Sequence, residues 1–275
     1  STGDVKMVGF VDATGNINIG YDKDGNAVAP GNVTAGSTLT AENGAVVIGS
    51  ADKRAASASL GDKVFAGTGV SIYTNGHVTA NGIEAKGADI STLDSGLTIP
   101  KVLGNIVIND SKDNSIITLN GATKVDSTDY SKDDITLYGD KMALNGAVTT
   151  NANTGVVTVS NYTQGNTIDL GSAVDTTTDT LELSDAEIDE ITASKLVVGN
   201  NTSGTATKNI NITNAITPAG TSIVHMYTGV KDGKIYEDPN GNGTLAPGAS
   251  GTLNLAITAD NMIYLDNANN ITTFA

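Results

Sequence analysis

The sequence predicts an all-β protein, and three observations carry that prediction. Short apolar runs rich in β-branched residues recur between turn signals along almost the whole chain, the pattern of half-buried strands. Asn-Gly and Asp-Gly pairs punctuate them, at Asp24-Gly25, Asn43-Gly44, Asn75-Gly76, Asn81-Gly82, Asn120-Gly121, Asn145-Gly146, Asp232-Gly233 and Asn240-Gly241. The composition fits thin stacked layers: 32 Gly in 275 residues, aromatics at only 4%, no Trp, and a core left to Val, Ile, Leu and Ala.

Taken in order, residues 1–40 hold two short strands, in 5–11 and 17–21, and a Pro30-Gly31 turn. The middle of the chain, 41–230, carries runs at 45–48, 70–73, 106–108, 116–119, 135–138, 156–159, 167–170, 181–183, 196–198, 210–212 and 223–227. Alternation is plainest in Asn16-Ile17-Asn18-Ile19, Thr180-Leu181-Glu182-Leu183 and Asn209-Ile210-Asn211-Ile212, where apolar side chains take one face and polar ones the other. Residues 231–275 contain an Asp238-Pro239-Asn240-Gly241-Asn242-Gly243 turn, a Pro247-Gly248 turn, and strands at 253–257 and 262–265. One helix is predicted over 184–193. Ser184-Asp185-Ala186-Glu187 is a capping box, and Ile188 and Ile191 follow at helical spacing.

The turn pairs leave the arrangement open. Asn-Gly between strands is a strong signal for an antiparallel hairpin, because both residues tolerate positive φ. The same pair turns the corner between strands of one coil in a solenoid. No sequence repeat of fixed period is visible. An antiparallel β-sandwich and a parallel β-helix therefore both fit the pattern.

A local phrase separates them. The run from Leu183 to Ala193, Leu196-Val197-Val198-Gly199, Ser203-Gly204, the Ile210/Ile212 strand and Ala215-Ile216-Thr217-Pro218-Ala219 resemble filamentous-haemagglutinin-like large repetitive bacterial surface proteins. The resemblance spans residues 180–229. It implies a right-handed parallel β-helix as the body, 41–230, secretion through an outer-membrane partner, and an extracellular or cell-surface location. The segments 1–40 and 231–275 are then expected to be non-solenoid strands, serving as caps or docking segments. The sequence starts at Ser1, so a removed leader or an excised fragment is expected.

Charge and cysteine content narrow the function. The formal net charge is −15, with 30 acidic against 15 basic residues, and Arg54 is the only Arg. A phosphate backbone would be repelled, so nucleic acid is not an expected partner. No window is apolar and long enough for membrane insertion as a helix. Cysteine is absent, which removes disulfides, thiolate metal sites and thiol nucleophiles.

Calcium is the metal the acidic turns suggest. Asp22, Asp24 and Asn26 alternate around Gly25, and Asp238, Asn240 and Asn242 form a similar loop. Ca²⁺ takes six to eight oxygen ligands, but neither loop is followed by the bidentate Glu of an EF-hand. Asp, Asn and Gly also simply make turns. Asp110, Asp113, Asp133 and Asp134 read as solvated loop charge. His77 and His225 stand apart and read as ordinary strand residues. Tyr21, Tyr73, Tyr130, Tyr138 and Tyr162 suit either sugar stacking or packing at coil corners.

No catalytic residue is expected. A polysaccharide lyase on a β-helix needs a base that Arg54 does not obviously supply, and no pair of carboxylates stands out for glycoside hydrolysis. The expected function is a structural subunit of a bacterial surface fibre or stalk, with copies of itself as partners. Strand addition would use Val5, Val8 and Val11 at one end and Leu253, Leu255, Ile257, Ile263 and Leu265 at the other. The alternatives are an adhesin binding a glycan or host surface and, third, a polysaccharide-active enzyme.

Overall fold

The computed structural model describes residues 3–86, 105–111, 115–125, 133–238, 243–246, 253–259, 262–265 and 272–273. Among them the chain is a parallel β-helix. Strands stack into sheets of six, seven and ten strands, continued by sheets of five and two. Every ladder is parallel, and the one antiparallel contact is an isolated bridge between Tyr21 and Ala27. The antiparallel sandwich is therefore excluded.

Each coil supplies one strand to each of three walls. The first comprises Val5–Met7, Val11–Ala13 and Ile17–Ile19. The second comprises Asn32–Ala35, Leu39–Ala41 and Val46–Ile48. Val5 lies opposite Val33, Val11 opposite Leu39 and Ile17 opposite Val46. Successive strands sit about 4.8 Å apart, so each inward side chain packs on its counterpart in the next coil. One such column runs Val46, Val70, Ile106, Ile135, Val157, Leu196, Val224. These residues are buried, and each such side chain contributes about 1.5–3 kcal/mol.

The Asn-Gly pairs turn corners rather than hairpins. Asn145 Nδ2 donates to Asn120 Oδ1 at 3.1 Å, Asn120 Nδ2 to Asn81 Oδ1 at 3.2 Å, and Asn81 Nδ2 to the Gly61 carbonyl at 2.9 Å. The stacked amides form a ladder along one corner. The coils come so close there that a Cβ on Gly121 would collide with the Asn81 carbonyl.

Among the described residues the strand order departs from simple winding at one place. In the five-stranded sheet Thr167–Leu170 lies between Thr180–Leu183 and Asn209–Ile212. It thus runs one level ahead, and residues 171–179 bring the chain back to lay Thr180–Leu183 beneath it. The backward loop opens at Gly171, with φ 111°, and closes at Asp179, with φ 57°. Ile168 faces Leu181 and Leu170 faces Leu183, so the inverted order still aligns the aliphatic columns.

Two expectations are corrected. The terminal strands do not lie outside the solenoid. Val5–Met7 enters the six-stranded wall, and Asn254–Thr258 pairs on one side with Ile223–Tyr227 and on the other with Thr272–Thr273. Their apolar alternation matches the columns of the neighbouring coils, so they extend them. The helix covers only Asp185–Asp189. The capping box forms as read, but Ile191–Thr192 is a strand whose Ile191 pairs with Val148. Ladder pairing and the burial of a β-branched side chain end the helix early.

Thr123 is the odd member of the column Val64, Ile83, Thr123, Val148. It is fully buried, and its hydroxyl has no partner. Burying an unpaired hydroxyl costs about 1–3 kcal/mol. Thr123→Val is expected to raise stability by about 1–2 kcal/mol in urea unfolding, whereas Thr123→Ser, which keeps the hydroxyl and loses a methyl, is expected to lower it.

Candidate functional site

The first acidic loop is a self-satisfied turn. Asp22 Oδ1 accepts from the backbone N–H groups of Asp24 and Asn26, each at 2.9 Å. The Asn26 amide donates to both carboxylate oxygens, at 3.3 and 3.1 Å. Those bonds, the Asn26 side chain first, hold the Asp22 carboxyl below its usual pKa. Asp24 pairs with the adjacent Lys23 at 2.7 Å on the open surface. Among the described residues no three or more of His, Asp and Glu gather as a metal site. In the second loop Asp238 is half-buried, with its N–H on the Ile212 carbonyl at 2.8 Å. Asn240 and Asn242 lie outside the described residues.

Nor are the mid-chain acids solvated. Asp110 and Asp133 are buried, and Asp110 accepts from Ser115. Asp134 accepts from the Val156 N–H at 3.1 Å. Asp134 thus takes its donor from the next coil, which a single coil of sequence does not reveal, while the Asp110 donor lies five residues on in the chain. Asp113 and Tyr130 lie outside the described residues.

Histidine and tyrosine serve packing. His77 Nδ1 accepts from the Ile116 N–H at 3.1 Å. His225 lies 3.9 Å from the Tyr227 ring, and burial, with Lys195 nearby, lowers its pKa. Arg54 spans several coils. Its guanidinium donates to the Asn109 carbonyl at 3.0 Å and to Asn109 Oδ1 at 2.8 Å, and it lies 5.6 Å from the Tyr73 ring centroid and 5.1 Å from that of Tyr162. These two tyrosines hold the arginine, a cation–π clamp along the rod. Tyr138 is half-buried, and desolvation raises its pKa. Tyr21 forms the bridge to Ala27.

The inverted strand pair gathers a charged cluster that the sequence did not disclose. Glu182, in the strand below the backward loop, accepts from Ser172 Oγ at 3.0 Å and from Thr177 Oγ1 and N–H, both at 2.9 Å. Lys141 Nζ lies 3.8 Å from Glu182 and donates to the Thr177 carbonyl at 2.8 Å. Glu187, on the helix, accepts from the N–H of Ser184 and, at 3.2 Å, from that of Leu144. Asp175 sits in the loop among these groups, with Oδ1 buried and unpartnered. Burial first, then Glu187 and Glu182, push it up to about 6 despite Lys141. Burial and the same Glu182 also raise Asp169.

The residues expected to dock neighbouring copies divide. Leu253 and Leu255 are 1% and 3% exposed, and Leu255 continues the column of Val224, so both side chains belong to the core. Ile257 and Leu265 are partly buried against that core, and Ile263 is 50% exposed. At the other end Val5 and Val11, with Met7 and Ala13, face inward yet are only partly buried. Their counterparts Val33, Leu39, Ala35 and Ala41 are buried. Val8 and Phe10, at the corner between the first two strands, are 77% and 81% exposed. Phe10 was missed in the sequence, although it is one of only three Phe and follows a glycine.

No family model, curated protein or solved structure matches this chain.

Two outcomes follow from this geometry. An acid whose folded pKa lies above its unfolded value of 3.8 is penalised when ionised. For Asp175 the penalty is absent below about pH 4, grows through about pH 6 and is constant above. The full shift is worth about 3 kcal/mol, which solvent screening of a half-buried group reduces to about 1–2 kcal/mol. Asp175→Asn is expected to stabilise the protein by that amount in urea unfolding at pH 7.5 and to change little at pH 4. For the first acidic loop, any rise in melting temperature on adding Ca²⁺ is expected to be equal in the wild type and in Asp22→Asn. A rise confined to the wild type would show that the loop rearranges around the ion.

Proposed function

We propose that the chain is a structural β-helix subunit of an extracellular bacterial surface fibre or stalk, built by end-to-end strand addition onto its first coil. The carrying observation is the state of that coil. Its three strands each pair on one side only among the described residues, and its inward Val5, Met7, Val11 and Ala13 are only partly buried. Unpaired N–H and C=O groups along a strand edge are a template for another strand. A coil laid on this end would pair all three edges and bury the apolar column together with Val8 and Phe10. The reading also fits a cysteine-free, strongly acidic chain outside the cell, whose stability rests on ladders and aliphatic burial rather than disulfides.

Sedimentation velocity over a wide concentration range checks it. Wild-type protein is expected to form linear species whose size grows with concentration, seen as rods by electron microscopy. The pair Val8→Glu and Phe10→Glu, on a corner that supports no core column, is expected to keep the fold and shift assembly to at least about ten-fold higher concentration. A wild type that stays monomeric throughout, or a variant that assembles equally well, would overturn the proposal.

A further inference from the structure

A second surface feature lies on the outer face of the five-stranded sheet, far along the chain from the first coil. Lys234 and Tyr236 are two residues apart in the strand Lys234–Glu237, so both side chains leave the sheet on its outer side while Ile235 is buried between them. Asn209 lies opposite Lys234 in the preceding coil, and its Oδ1 accepts from the Lys234 N–H at 3.1 Å. Lys208, next to Asn209, is exposed, with its own N–H anchored on the Asn166 carbonyl at 3.0 Å. Asp232 stands in the turn before the strand with φ 65°. Together Lys208, Asn209, Asp232, Lys234 and Tyr236 line a cavity of about 480 Å³.

We infer that this cavity binds an acidic sugar residue, one pyranose ring bearing a carboxylate. Three independent observations point there. First, the charge is locally reversed. In a chain of net charge −15 the lining brings two lysines from adjacent coils together. Neither ammonium makes a hydrogen bond or ion pair among the described residues, whereas Asp232 is already engaged. Second, the size suits a ring rather than a bare ion: small-ligand pockets run from about 300 Å³ upward. Third, a half-buried Tyr ring and a side-chain amide share the lining with the lysines. A simple anion site needs only the cations, whereas a sugar needs an apolar face to lie on and polar groups to orient its hydroxyls. The carboxylate would sit between Lys208 and Lys234, with the ring against Tyr236. Asn209 is held by the backbone of Lys234, so the polar wall is set before a ligand arrives.

The site is independent of end-to-end assembly, since neither Val8 nor Phe10 takes part. Calorimetric titration of the whole chain tests it, with trigalacturonate as the probe, maltotriose as the neutral comparator and inorganic sulfate as the bare anion. Trigalacturonate is expected to bind with a dissociation constant below about 1 mM at low salt, at least about ten-fold more tightly than maltotriose or sulfate, and to weaken as salt rises. Lys208→Ala with Lys234→Ala is expected to lower that affinity at least about ten-fold. Tyr236→Ala should lower it about five-fold, with Tyr236→Phe within about two-fold of wild type. Should the alanine pair lower the melting temperature, Lys208→Gln with Lys234→Gln replaces it. Absence of binding at 10 mM probe (about ten times the upper limit expected for the dissociation constant), equal binding of maltotriose, or insensitivity to the lysine pair would overturn the inference. Sulfate binding as tightly as trigalacturonate, or a Tyr236→Ala variant that binds unchanged, would overturn the sugar and leave a bare anion site.

Discussion

The structure depends on one constraint: each inward side chain must fit the one about 4.8 Å above it and the one below. In-register parallel stacking makes every coil the template for the next. The column from Val46 to Val224 shows what that requires. Its members are β-branched or leucine, close in volume, and without polar atoms. It also explains the absence of Trp, since a large ring in one layer would displace both neighbours. Corners obey the same rule in polar form. The stacked Asn81, Asn120 and Asn145 each donate to the layer before, and Asn81 and Asn120 accept from the layer after, so the ladder continues through the turns.

The inverted strand order around residues 167–183 shows how far this constraint bends. Thr167–Leu170 and Thr180–Leu183 exchange levels because their inward pairs, Ile168 with Leu181 and Leu170 with Leu183, are interchangeable as column members. The backward loop is a different matter. It brings polar backbone and the Asp175 carboxylate against Glu182 and Glu187, where one lysine answers all three. Glu182 and Glu187 are satisfied by hydroxyl and amide donors, and Asp175 is left with an unpaired oxygen. The strain of the crossing is therefore electrostatic, while the aliphatic interior remains intact.

These relations explain what was legible in the sequence. Strand positions and inward residues were, because alternation is local: Ile17 and Ile19, or Ile210 and Ile212, announce their face within four residues. The Ser184 capping box was, for the same reason. The sense of the Asn-Gly turns was not, since hairpin and corner use the same two residues and only the partner strand decides between them. The terminal strands were misread as different from the body because their flanking turns differ, although Val5, Leu39, Leu253 and Leu255 obey one column rule. The burial of Asp110 and Asp133 has no local pattern to announce it, and Asp134 looked solvated because its donor, the Val156 N–H, lies on the next coil. The Lys208, Lys234 and Tyr236 cavity was invisible for that reason too, as its two walls are separate stretches of sequence brought into register by Asn209 pairing with Lys234.

The division between inside and outside bears on what such a rod can do. The interior is committed to stacking and has almost no freedom to vary, so function must be carried by edges and outer faces. Along most of the length the edges are consumed, each strand pairing on both sides. Among the described residues the strands of the first coil pair on one side only, and its inward apolar residues are more exposed than their counterparts one coil later. Sideways contact between copies is opposed by a net charge of −15, which repels parallel rods over roughly a Debye length of about 8–10 Å. End contact places far fewer charges together and gains three ladders at once. The same acidity makes any cluster of unpaired lysines a local exception, able to hold an anion that the rest of the surface turns away. The proposed growth along the axis and the proposed contact on one outer face would thus be two consequences of one arrangement, in which the core leaves only ends and faces free to act.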